Sequence, residues 1–268
     1  MLERFIQLEE WFDNYTAGFK SDDPKIQRNF DLKIFHTKKV LENATLISEA
    51  LQLNDQDTYI AKASALLHDV GRFEQFMRYN TFVDKLSIDH AELGLEIIDN
   101  ENPLVNFSQE VIIEIKAAIQ FHNKLEVPTD IDEKSQFFTR ILRDADKLDI
   151  FRVVTEYYEK QKSGEHNEAI VLGLPDNNDF SNEVIDDILN RQIVKSQDLK
   201  TINDFKLLQM AWVFDINFAI SLKLIEEQKF VEMIYESLPK NEKIQQAYNI
   251  ISEFITENCN KGLKSILF

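Results

Sequence analysis

Cysteine is almost missing from this chain: Cys259 stands alone, so no internal disulfide can form, and a reducing compartment fits best. Glycine and proline are also scarce, at 6 and 5 in 268 residues, which argues against a sandwich or barrel built on many tight turns. No apolar run is long enough to span a bilayer. The opening MLERFIQLEEWF mixes acids with its apolar residues and does not read as a secretory signal. A cytoplasmic protein is expected. Basic residues are outnumbered, 30 against 47 acids, for a formal charge of -17. Such a field repels phosphate backbones and anionic lipid, so neither nucleic acid nor membrane is an expected partner. A small phosphorylated substrate, held by a local cluster of metal and arginine, remains compatible with it.

What the chain does have is helical spacing and aromatic bulk, with 20 Phe. The length is enough to bury a sizeable core. Helices are expected from Leu2 to about Phe19, from Pro24 to about Leu53, and from Asn54, as cap, through His68 to a stop near Gly71. A short helix follows over Phe73 to Tyr79. Ser87 and Ser108 are expected to cap the helices that carry His90 and His122. Another helix is expected from Gln136 to about Lys162, then a long loop, GEHNEAIVLGLPDNND, in which His166 lies beside Glu165 and Glu168 and is expected to be solvent-exposed. Three more helices are expected over Ser181–Ile193, Asp204–Glu227 and Lys240–Cys259. The organisation expected is a core over 1–162 and a helical extension over 163–268 packed on it. The apolar stretch LLQMAWVFDINFAISLKLI reads as a core or subunit-contact helix, which leaves a homo-oligomer open, and Asp215 within it needs a partner.

Four of the five histidines fall on apolar helix faces. His36 shares its face with Val40, Ala44 and Ile47, and His68 with Ala61 and Ala65. His90 pairs with Gly94 and Ile97, and His122 with Ile115 and Ile119. Each side chain should therefore point toward the core. One such histidine is ordinarily a hydrogen-bonded core residue. Four on separate helices all need buried partners, and a shared metal ion supplies one to each. Asp69 adjoins His68. Asp144 and Asp146 both have apolar neighbours at helical spacing, so periodicity does not choose between them.

The ordered set FHTKKVLENA around His36, ALLHDVGRFEQ around His68-Asp69 and RDADKLD around Asp146 resembles the HD superfamily of metal-dependent phosphohydrolases. The likeness covers about residues 30 to 155. It implies an all-α HD-domain helical bundle with a C-terminal helical extension, and its A-D-x-L context selects Asp146. DHAELG around His90 and IQFHNK around His122 resemble the subgroups that bind two metals. The implied ligands are His36, His68, Asp69 and Asp146 on one ion and His90 and His122 on a second, with Asp69 bridging. One retained ion, or substrate contacts from His90 and His122, is the alternative. Mixed imidazole and carboxylate ligation suits Fe, Mn, Zn, Co or Ni.

The activity implied is hydrolysis of a phosphomonoester or phosphodiester of a small molecule such as a nucleotide, by attack of a metal-bound hydroxide. Asp69 and Arg72 are the implied catalytic residues. Arg72 stands where related phosphodiesterases carry a phosphate-meeting Lys, with Arg78 and Lys147 as further substrate-binding candidates. Glu74 could orient water, although a surface helix Glu is the plainer description. The chain lacks the G-Y-P segment of HD-GYP phosphodiesterases and has Phe121 in place of the first of their paired histidines, which argues against cyclic dinucleotides. It also carries no synthetase half of the kind found in stringent-response hydrolases. Two other classes stay open: a di-iron oxygenase like myo-inositol oxygenase, and a non-catalytic metabolite-binding regulator.

Overall fold

Asp23, Pro24 and Gln52 show how local chemistry delimits the helices. Asp23 accepts a hydrogen bond from Lys25 N, and Pro24 occupies the first turn, where its missing N–H is not needed. At the other end Gln52 turns into the left-handed region at φ 58°. Asn80 and Asn102 end the helices before them in the same way, each at φ 52°, a conformation Asn tolerates better than most residues. The computed structural model describes residues 2–161, 174–259 and 261. No strand occurs among the described residues, and the fold is all-α.

The chain divides into two compact units, Met1–Asp146 and Lys147–Phe268. The first holds α1 (Leu2–Ala17), α2 (Pro24–Leu51), α3 (Asp55–Leu67), α4 (Gly71–Tyr79), α5 (His90–Glu101), α6 (Gln109–Phe121) and the first part of α7 (Glu133–Gln161). Phe5, Leu8 and Phe12 form the buried stripe of α1, while Val40, Ala44 and Ile47 form that of α2. Burying a side chain of this size stabilises by roughly 1.5–3 kcal/mol. Phe73 joins them, packed edge-on to Phe12 and stacked on Phe30. These apolar stripes fix which way His36 and the α3–α4 turn face.

The second unit holds the rest of α7, then α8 (Asn182–Leu189), α9 (Ile202–Ala211), α10 (Ala219–Glu227), α11 (Phe230–Glu236) and α12 (Glu242–Cys259). Its polar anchor is Asp204, which is fully buried and closes a capping box with Thr201. No helix among the described residues is long and apolar enough to cross a membrane.

Several expectations need correction. Gly71 opens α4 instead of closing α3. Asp89, not Ser87, caps α5, accepting from Ala91 N and Glu92 N. The helix expected over Asp204–Glu227 is broken: a 3-10 turn at Trp212–Asp215 and the three residues Ile216, Asn217 and Phe218 separate α9 from α10. Asp215 and Asn217 favour local side-chain bonds over helix, and Asn217 Nδ2 donates to Asp215 O. Asp215 pairs with Lys147 at 2.7 Å. Helix α11 had no counterpart in the sequence reading. His166, Glu165 and Glu168, most of the loop around them, and the expected 162/163 boundary lie outside the described residues.

Candidate metal centre

Every expected ligand comes from the first unit. His36 projects from α2, His68 and Asp69 from the turn after α3, and His90 from the first residue of α5. His122 follows the last residue of α6, and Asp146 lies on α7. A turn, not a helix, thus brings both members of the doublet to the centre. His36, His68, Asp69, His90 and His122 are buried, and Asp146 is 19% exposed.

The two oxygens of Asp69 face different partners. Oδ2 lies 3.6 Å from His36 Nε2 and 3.7 Å from His68 Nε2. Oδ1 lies 3.4 Å from His90 Nε2. Asp146 Oδ1 stands 3.1 Å from His36 Nε2 and 3.9 Å from His68 Nε2. His90 and His122 meet Nε2 to Nε2 at 3.1 Å, and His36 and His68 at 3.3 Å. His36, His68 and Asp146 offer atoms close enough for one ion, as do His68, Asp69 and His122. His68 is common to these two sets, and Asp84, Asp89 and His90 form a third. Asp144 is fully buried but belongs to none of them.

Tautomers decide whether a cation fits. His68 Nδ1 donates to Ala65 O at 2.8 Å, and His122 Nδ1 to Ile119 O at 2.6 Å. A carbonyl only accepts, so both protons sit on Nδ1. His90 Nδ1 donates to the Asp84 carboxylate at 2.8 Å. Each neutral ring therefore turns a bare Nε2 lone pair inward. Burial keeps His68 below its ordinary range and pushes His90 and His122 down to about 4. Burial works against a charged Asp69, but Lys33, His68, Arg72 and His90 outweigh it, and its pKa lies well below the usual carboxylate range. Asp146 is lowered too: burial opposes its charge, and a hydrogen bond from His36 leads the effects that overcome it. Lone pairs and carboxylates facing one space repel unless a cation lies among them. The six residues fit a divalent transition metal.

Lys33, Asp84 and Gln75 are the contacts that sequence reasoning missed. Lys33 Nζ donates to Asp69 Oδ2 at 2.8 Å and lies over the Phe82 ring. Its place three residues before His36 on one helix face was the available signal. Arg72 is brought to the cluster, with Nε 3.4 Å from Asp69 Oδ1. Its Nη1, however, is given to Gln75 Oε1, Phe82 O and Asp84 Oδ1. Arg78 is half exposed and ion-paired with Glu74. Lys147 pairs with Asp215 in the second unit.

Four histidines and two aspartates brought together on an all-α scaffold form a candidate metal centre. Residues 34–150 match the HD domain family, and over that stretch the chain is similar to HD domains. A crystal structure of a predicted HD superfamily hydrolase from an uncultured Thermotogales bacterium is 25% identical, covering 63% of this chain and 80% of its own, with a TM-score of 0.38. No curated protein matches the chain.

Proposed function

We propose that the protein is a metal-dependent phosphohydrolase acting on a phosphomonoester or phosphodiester of a small molecule such as a nucleotide. The observation that carries this reading is Asp69, set between inward-facing imidazoles and two cationic side chains, Lys33 and Arg72. A divalent metal held by His36, His68, Asp69, His90, His122 and Asp146 supplies Lewis acidity toward a phosphoryl oxygen and lowers the pKa of water. The protein's own residues hold that geometry and add positive charge. Lys33, 18% exposed, spends one ammonium proton on Asp69 and has two more to offer a phosphoryl oxygen. Arg72 is the weaker phosphate partner, because Nη1 already has three acceptors in the protein. In a chain of charge -17, such local cations are what would draw an anionic substrate.

The test is metal analysis of the purified protein, then a screen of nucleotides, sugar phosphates and aryl phosphoesters for released phosphate or alcohol. Metal-dependent turnover that disappears in Asp69→Ala is the expected result. Oxygen uptake with an unphosphorylated substrate would replace this reading with an oxygenase. A protein that binds no metal would remove it.

A further inference from the structure

His90 is oriented differently from its neighbours. His68 and His122 each bond a carbonyl three residues back in their own helices. His90 is the first residue of α5, so no helical turn precedes it to offer such a carbonyl. Its Nδ1 bonds instead to Asp84 Oδ2 at 2.8 Å, in a 3-10 turn between α4 and α5.

Asp84 is 30% exposed, yet it is fixed from beneath. Its other oxygen accepts from Arg72 Nη1 at 2.7 Å and from Gln75 Nε2 at 2.8 Å. Gln75 is fully buried, and its amide also reaches Ser87 Oγ and Ile88 O, while its carbonyl accepts from Arg72. Both ends of a buried amide are thus satisfied, which makes the network stiff. Arg72 Nε is buried without a hydrogen-bond acceptor, 3.4 Å from Asp69 Oδ1. The guanidinium therefore spans from Asp84 to the side of Asp69 that His90 faces.

We propose that Asp84, braced by Arg72 and Gln75, is the positioning residue for cation binding on the Asp69 Oδ1 side, where His90 and His122 meet. Among the described residues its side-chain hydrogen bonds and ion pairs go to Arg72, Gln75 and His90 and to none of His36, His68 or Asp146, so ligation on the Oδ2 side is expected to be independent of it. The role rests on the metal-centre reading above, not on the choice of substrate. Arg72 acts here as a brace between two aspartates. A carboxylate on the far nitrogen fixes a ligating imidazole's tautomer and raises its basicity, and Asp84 does this for a ring its own helix cannot hold.

The experiment is a Mn²⁺ titration of the metal-stripped full chain, read by calorimetry and electron paramagnetic resonance. Wild type is expected to bind two ions per chain with a spin-coupled signal. Asp84→Asn should bind one ion as wild type does and the second about 10- to 100-fold more weakly, with loss of coupling. Unchanged binding of both ions, or equal weakening of both, would overturn the proposal. A wild type that binds one ion overturns it while leaving the hydrolase reading intact; no ion at all removes both. Should the variant not fold, ¹⁵N imidazole spectra of metal-free wild type decide instead. His90 is expected to carry its proton on Nδ1, and a proton on Nε2 would overturn the role.

Discussion

Gly71 and Gly94 face each other where α4 crosses α5, so closely that a Cβ on Gly71 would lie 2.2 Å from His90 O and 2.7 Å from Gly94 N. The contact is backbone against backbone. It brings the Asp69 turn, one end of α4, against the start of α5, where His90 sits.

The two glycines are not equivalent, and substitution should separate them. Gly71→Ala forces backbone apart and is expected to destabilise by about 1–3 kcal/mol, with weakened metal binding. A Cβ on Gly94 meets Gly71 N at 3.4 Å and Val70 Cγ2 at 3.5 Å, ordinary contact distances. Gly94→Ala should be neutral or stabilise by up to about 1 kcal/mol through helix propensity. Urea denaturation of both variants checks this; similar losses in the two would contradict it.

The metal-free protein should lose stability as pH falls from about 6.5 to about 4. His90 and His122 titrate in the folded chain at about 4 because burial disfavours their charge, against an ordinary value near 6.5. Between those values the unfolded chain binds protons that the folded chain does not, so acid favours unfolding. Above 6.5 neither state is charged and the effect is absent. Either histidine alone contributes roughly 3 kcal/mol when fully developed. Denaturation midpoints of stripped protein between pH 7.5 and about 4 measure it, and a flat profile would contradict it.

The legible part of the centre was whatever helical periodicity could carry. His36 on the stripe of Val40, Ala44 and Ile47 is visible because a helix returns to one face every three or four residues, and that stripe is buried. Asp84 obeys no period: it lies in a turn, and its meaning comes from Arg72, Gln75 and His90 converging in space. Gly71 misled because glycine most often ends a helix, whereas here its lack of a side chain serves packing. Continuous apolarity through WVFDIN likewise hid the break after α9, since burial alone does not separate one long helix from two short ones.

Lys33→Met keeps the stem's bulk and removes the charge. If the ammonium meets a phosphoryl oxygen, KM for the phosphoester and the inhibition constant of inorganic phosphate should both rise roughly 10- to 150-fold, the effect of losing one charge-assisted bond of about 1.5–3 kcal/mol. Metal stoichiometry should stay at the wild-type value, because Lys33 donates to Asp69 and supplies no ligand atom. Loss of the metal with unchanged phosphate affinity would assign Lys33 to supporting Asp69 alone.

The second unit yields a prediction in which a near-isosteric change is no kinder than truncation. Asp204 Oδ1 accepts from Ser181 N at 2.6 Å. Its Oδ2 accepts from Ser181 Oγ, Lys200 N and Thr201 N at 2.9–3.0 Å. Both oxygens therefore face backbone donors. In Asp204→Asn the new NH₂ must point at one of these sets whichever way it rotates, setting donor against donor at a fully buried position. Leaving buried N–H groups without acceptors costs about 1–3 kcal/mol each, and the capping box is lost as well. Asn and Ala at 204 are both expected to cost about 3 kcal/mol or more by urea denaturation. A mild Asn variant beside a severe Ala variant would mean that the carboxylate's shape, and not its pair of acceptors, holds the start of α9.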